Sequence, residues 1–518
     1  MNIGQVIGST TLKNFRFVIQ EGKEEHVKKD EFISVKESVT GHSILGVIKE
    51  IIISNELLPD EFGRDLRVGD IILKEGEYPV PTVKVIGYEG KNGAIEQPRH
   101  GIKPGTQVEL ASDEQLNRIL VQDKKKSAYI GNLATRESVK VFLNINDLVS
   151  RHCAVLAMTG AGKSYTVGVL IEELMKKKGS VVLFDLHGEF KNIILEKSKV
   201  KVYGIEGGDK IKVEVSALSV ADYSNLMPDL TSTQRDLLDE LLGMAYRFYE
   251  KYDLSVLLSI LNMLYDLKKD EGGKKQKGKE DKEKKVDTSI FPENILRSMA
   301  KKASLSTIGA LLRRLRRLER MGIFSTEGTP LGDLVKGNQL SIINLSEAEE
   351  GISEIIVAAI SRSIFDSRKR YLKGDAQEIS TPTFLVVEEA HTFAPRAYSE
   401  VVSPSRNILR KIAREGRKFG VGLCIISQRP NKLDADVLSQ CNTQVIMKIV
   451  NPSDQEYIRQ SVESITEDIV KDLPGLSRGE AIVAGNAIKI PALVKIRERE
   501  TPVGGSDLDI VEIWNKDG

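Results

Sequence analysis

Cysteine is scarce: the 518 residues include three, Cys153, Cys424 and Cys441. Three cannot build a disulfide framework. The first two sit in apolar runs that read as buried strands, so all three are expected to be small core residues in a reducing compartment. Charge of one sign is also missing. Lys and Arg total 75 against 74 Asp and Glu, a formal net charge of +1. This excludes coating of nucleic acid by bulk charge, and any contact with a polyanion must come from locally gathered Lys and Arg. No apolar run approaches the roughly 18 residues that span a bilayer, and Met1-Asn2-Ile3-Gly4 carries no basic patch leading into an apolar stretch. A soluble, cytoplasmic chain with no membrane partner is expected. With 41% hydrophobic residues it can bury large cores, and its length suits about two or three domains.

Residues 1–112 alternate short β-branched runs with Gly and Pro turns, at Ile44–Ile48, Ile51–Ile53, Asp70–Leu73 and Thr82–Ile86. That pattern predicts a small β-barrel, an assembly module or cap without catalytic residues. A linker is expected over 113–140. From 141 strands and helices alternate, as in a parallel α/β sheet. Its buried strands are predicted at Ala154–Ala157, Val181–Phe184, Leu340–Asn344, Thr383–Val387, Gly422–Ile426 and Gln444–Lys448. The sheet is interrupted over 216–327, where Leu305, Ile308, Leu311, Leu312, Leu315 and Leu318 fall on one helical face. The expected division is therefore an α/β core over 141–215 and 328–490, an all-α insertion between its halves, and a C-terminal extension over 491–518. Within the insertion, Lys268–Lys285 is too polar to bury and reads as a solvated loop.

The segment Ala157-Met-Thr-Gly-Ala-Gly-Lys163-Ser164 follows an apolar strand and opens a helix, the setting a Walker A phosphate loop requires. Glycines let backbone N–H groups curl around phosphates at a helix N-terminus. The nucleotide contacts expected are Thr159, Gly160, Ala161, Gly162, Lys163, Ser164 and Tyr165, with Lys163 on the β and γ phosphates and the Ser164 hydroxyl on magnesium. The first glycine of the motif is replaced by Ala157, which is tolerable if that position keeps a negative φ. Hydrolysis needs a second apolar strand ending in carboxylates, and Thr383-Phe-Leu-Val-Val-Glu388-Glu389-Ala-His391 supplies it. Neighbouring strand-end residues diverge, so Glu388 is expected in the magnesium shell and Glu389 as the group that polarises the attacking water. Asp is commoner than Glu at position 388. Gln428, in Ser427-Gln428-Arg429-Pro430 after another strand, is placed to sense the γ phosphate; a loop-capping amide is the plainer alternative. Asp185 ends the strand after the phosphate-loop helix, with a less definite role, and His187 and His391 read as edge residues.

Between the strand that ends in Glu388-Glu389 and the one that ends in Ser427-Gln428, Arg406, Arg410, Arg414 and Arg417 fall near one helical face. Either this is a solvated stripe, or Arg414 or Arg417 meets a γ phosphate as an arginine finger. Arg151, just before the phosphate-loop strand, is the first candidate for a finger offered to a neighbouring subunit.

Taken in order, the Walker A segment, Glu388-Glu389-Ala-His391, the Arg-rich helix and Ser427-Gln428-Arg429-Pro430 resemble the HerA branch of the FtsK/HerA translocases. A barrel before the core and a helical insertion within it complete the likeness, which covers nearly the whole chain. The resemblance implies a RecA-like α/β fold, an ATP- and magnesium-dependent homo-hexamer with double-stranded DNA in a central channel, and a NurA-type nuclease partner in DNA-end resection. Glu388-Glu389-Ala-His391 also resembles the box of superfamily 2 helicases, but about 130 residues remain after Glu389, too few for their second RecA-like domain. A ring ATPase pumping DNA or protein in conjugation or secretion, and a scaffold that binds ATP without turning it over, are the other readings.

Overall fold

The computed structural model describes residues 1–55, 77–121, 123–271, 290–396 and 403–502. The expected strand at 70–73 and most of the polar tract at 268–285 lie outside them. Two compact units are present: Met1–Leu148 with Ala157–Gly162 and Asn442–Glu498, and Val149–Leu156 with Lys163–Cys441 and Arg499–Gly518.

In the first unit a barrel closes from strands in the order Asn14–Ile19, Asn2–Ile7, Gln107–Leu110, Phe32–Lys36, Ser43–Asn55 and Glu77–Glu89, the last pairing back onto the first. Ile3, Phe15, Phe17, Ile33, Val83 and Val108 fill it. Closure removes the exposed edges that would otherwise template pairing with other chains. Residues 113–140, expected as a linker, carry a helix over Asp113–Leu120 capped by Ser112, and the strand Ser127–Leu133. The expected C-terminal extension begins with a strand. Ala492–Ile496 pairs antiparallel with Ser127–Leu133, and also with Glu480–Gly485, which pairs antiparallel with Thr443–Ile446. The expectation of a parallel strand near 444–448 is corrected on that side. Sequence periodicity reports burial, not the direction of a partner hundreds of residues away.

The second unit holds parallel strands in the order Lys199–Tyr203, Gln339–Asn344, Ser180–Asp185, Thr383–Val387, Val421–Ser427 and Cys153–Leu156. Four of these, Ser180–Asp185, Thr383–Val387, Val421–Ser427 and Cys153–Leu156, are buried throughout, as their continuous β-branched and apolar runs demand. Lys199–Tyr203, unpredicted, is an edge strand with alternating lysines, which hid its apolar half. The insertion is helical at Val220–Leu226, Ser232–Phe248, Leu254–Glu271, Glu293–Lys302 and Leu305–Arg320. Ser219 with Asp222 and Thr231 with Gln234 form capping boxes that start the first two, and Ser304 caps the last. Ile308, Leu311, Leu312, Leu315 and Leu318 are buried, as the periodicity required, whereas Leu305, at the start of the same expected face, is exposed. Among the described residues no helix is long and apolar enough to cross a membrane.

Candidate nucleotide site

The parallel order puts Val421–Ser427 between the Walker A strand Cys153–Leu156 and Thr383–Val387. After Leu156 the chain turns through Ala157–Gly162 into the helix Lys163–Lys176. Gly160 and Gly162 have φ of 80° and 106°, a region closed to most side chains, whereas Ala157 is not among the residues with positive φ. The alanine therefore meets the condition for an intact loop. A Cβ on Gly160 would touch nothing within 4 Å, so backbone conformation, not space, calls for glycine there. Thr159 and Gly160 are exposed, Ala161 is buried, and Gly162, Lys163, Ser164 and Tyr165 are half-buried. The first N–H groups of such a helix lack intrahelical acceptors and present partial positive charge to an anion.

Lys163 Nζ donates to Glu389 Oε1. Glu389 is 3% exposed and sits at φ 45°, ψ 48°, a left-handed conformation that swings its carboxylate off the end of Thr383–Val387. Its Oε2 lies 3.3 Å from His391 Nδ1, which is 3.1 Å from Ser427 Oγ. Burial pushes the His391 pKa down, against the pull of Glu389.

Glu388 points elsewhere. Its Oε2 accepts from the backbone N–H of Leu186 at 2.9 Å and of His187 at 3.3 Å. Burial, then repulsion from Asp185 and Glu189, pushes its pKa up to about 9. Asp185, also raised by burial, accepts from Glu189 N–H at 3.1 Å and Phe190 N–H at 2.9 Å. The two adjacent glutamates thus diverge: one caps the turn after Ser180–Asp185 beside a second carboxyl, the other faces Lys163. Among the described residues no group of three or more His, Cys, Asp or Glu forms a metal cluster. A magnesium ion bound mainly by phosphates and water needs no such cluster.

Gln428 follows Ser427 and is half-buried. Arg151 is half-buried and precedes His152, whose φ is 61° and whose Nδ1 accepts from Leu423 N–H at 3.0 Å. The arginine stripe of Pro404–Phe419 is largely neutralised. Arg406 and Arg410 bond Asp434 at 2.9 and 3.1 Å, and Arg410 and Arg414 bond Asp436 at 2.5 and 2.7 Å. Arg414 and Arg417 are exposed, and among the described residues neither bonds Lys163 or Glu389.

One support was not legible in the sequence. Arg499 crosses the phosphate-loop helix: its N–H donates to Tyr165 Oη at 2.6 Å, its Nε to Thr501 Oγ1 at 2.7 Å, and its guanidinium lies 5.7 Å from the Phe190 ring centroid. Glu172 Oε1 accepts from the N–H groups of Glu500 and Thr501 at 3.0 and 2.9 Å. The available signals were Gly168 and Glu172 among the apolar residues of the helix, both ordinary by themselves.

A glycine turn opening a helix, a lysine-held glutamate ending a neighbouring strand, and one intervening strand in a parallel sheet define a RecA-like P-loop ATPase. A family model described as Helicase HerA, central domain, matches residues 128–364. A probable helicase of Methanocaldococcus jannaschii is 33% identical over 99% of this chain and 94% of its own length. The DNA double-strand break repair helicase HerA of Pyrococcus furiosus is 32% identical over 99% of this chain and 97% of its own. Among solved structures, the bacterial conjugative coupling protein TrwBdeltaN70 has a TM-score of 0.49 and 14% identity, over 77% of this chain and 95% of that one. The chain belongs to the HerA helicase family, and it is an ATPase.

Proposed function

We propose that this ATPase drives double-stranded DNA through the centre of a homo-hexamer and works with a NurA-type nuclease in DNA-end resection. The observation that carries the reading is full-length similarity to relatives named double-strand break repair helicases, which spans barrel, core and insertion together.

In the proposed reaction, the Gly160–Gly162 turn and the first turn of Lys163–Lys176 cradle the ATP phosphates, with Thr159, Ala161 and Tyr165 lining them. Lys163 leaves Glu389 for the β and γ phosphates. Glu389, released from its lysine but still beside His391, accepts a proton from the attacking water. Gln428 senses the γ phosphate. Ser164 and, through a water, Glu388 are the residues that would hold magnesium, whose charge would offset the mutual repulsion of the buried carboxyls Asp185 and Glu388. Magnesium supplies neutralisation of the phosphate charge. Arg151 is the proposed trans finger, with Arg417 or Arg414 assisting; Arg414 must first leave Asp436.

Two substitutions test the site. Lys163→Ala is expected to abolish turnover, because it removes a charge whose value grows as phosphoryl transfer proceeds. Glu389→Gln is expected to keep ATP binding and lower kcat by about a hundredfold or more. Near-normal hydrolysis by either variant refutes its assigned role. Stimulation by duplex DNA, and not by unfolded protein, is the expected response of the wild type.

A further inference from the structure

Two helices of this protein carry arginine stripes, and only one stripe is neutralised. On Pro404–Phe419, Arg406, Arg410 and Arg414 are tied to Asp434 and Asp436. On Leu305–Arg320, the outer face carries Arg313, Arg316, Arg317 and Arg320, and the helix holds a single acid, Glu319. At 3.6 residues per turn these four arginines lie within an arc of roughly 100°. The opposite face is fixed by the buried Ile308, Leu311, Leu312, Leu315 and Leu318, so the stripe cannot rotate inward. Arg313 and Arg320 are exposed and Arg316 is half-buried; none of the three makes an ion pair or hydrogen bond among the described residues. Arg317 pairs with Glu349 at 2.6 Å, but the side chains are 68% and 66% exposed, and a surface pair of that kind yields readily to a competing anion.

We propose that this outer face of the helical insertion is a phosphate-binding surface for duplex DNA. The proposal rests on the translocase reading above and adds a contact outside the ATPase core. With a net charge of +1, the chain has enough carboxylates to cover its arginines and does so on the other helix. Here three of the four arginines on one face of a rigid helix have no acidic partner among the described residues, an arrangement that an external polyanion complements. The run from Arg313 to Arg320 rises about 10 Å, a length over which a duplex presents about six phosphate charges. Guanidinium forks match phosphate oxygens in pairs and read no base, so the surface gives affinity without sequence preference.

The test compares the full-length protein with Arg313→Gln/Arg316→Gln/Arg320→Gln and with the three corresponding Lys substitutions. Binding of a fluorescent blunt duplex is measured across a salt series, with particle mass recorded for each protein. The Gln variant is expected to bind roughly tenfold or more weakly at low salt, and its slope of log affinity against log salt should be shallower by about 2 to 3. The Lys variant should keep the slope, basal ATPase should not change, and the duplex concentration needed for stimulation should rise in the Gln variant. Unchanged affinity and slope in the Gln variant overturn the proposal. So does a fall in particle mass, which would make the face a contact between subunits or with an acidic protein. A wild-type protein that binds no duplex at low salt overturns the translocase reading itself, a different result from a wild type that binds and a Gln variant that binds equally well.

Discussion

His152 lies outside the reacting groups and ties the start of the Walker A strand to its neighbour. It sits between Arg151 and the Walker A strand, is 2% exposed, and holds the left-handed φ of 61°. Burial pushes its pKa down from 6.5 to about 4, so it stays neutral with Nδ1 free to accept Leu423 N–H. The folded state therefore resists protonation. This stability is fully present above about pH 6.5 and is lost as pH falls toward 4, an effect of about 3 kcal/mol. Asn tolerates the same backbone region and its Oδ1 can accept the same N–H, but it does not titrate. His152→Asn should fold and should lose less stability than wild type between pH 7 and 5 in thermal melts. Equal loss in both would remove His152 from the account. No motif marks this residue. The groups that were legible at this scale, Lys163, Glu388 and Glu389, were so because phosphate chemistry fixes their spacing and their place at strand ends; the divergence of the two glutamates followed from strand geometry, whereas the contact of Glu388 with the 186–187 turn did not.

At the scale of elements, local periodicity served best where one face is buried and caps are strong, as in Leu305–Arg320, and failed where pairing is remote, as in Ser127–Leu133 with Ala492–Ile496. The strap at Arg499–Thr501 is the same kind of failure: its partners on the phosphate-loop helix lie more than 300 residues away in sequence. It also explains Gly168. A Cβ there would lie 2.4 Å from Arg499 Nε, although the backbone is ordinary helix. In an open helix Gly→Ala stabilises by up to about 1 kcal/mol. Here overpacking costs about 1 to 3 kcal/mol and displaces a buried guanidinium from Glu172, so the clash should win. Gly168→Ala should lower the Tm, and adding Arg499→Ala should return part of the loss relative to Arg499→Ala alone. A higher Tm for Gly168→Ala would show that the strap does not bear on the helix.

For the whole molecule, one RecA-like core supplies a phosphate turn, a lysine and a carboxylate, but within the described chain no arginine contacts the Lys163–Glu389 pair. Arg151 stands beside the Walker A strand, Arg414 is held by Asp436, and Arg417 is exposed. In the proposed ring, a second subunit would supply that cation. A guanidinium offered there contributes on the order of a thousandfold to turnover in comparable ATPases. The most direct test of a ring that moves duplex DNA is to image the full-length protein by electron cryomicroscopy with duplex and a slowly hydrolysed ATP analogue. The account predicts a closed ring of six subunits with the duplex in its centre and Arg151 of each subunit facing a neighbour's nucleotide. A nucleotide-bound monomer, or a ring carrying duplex only on its outside, would contradict it.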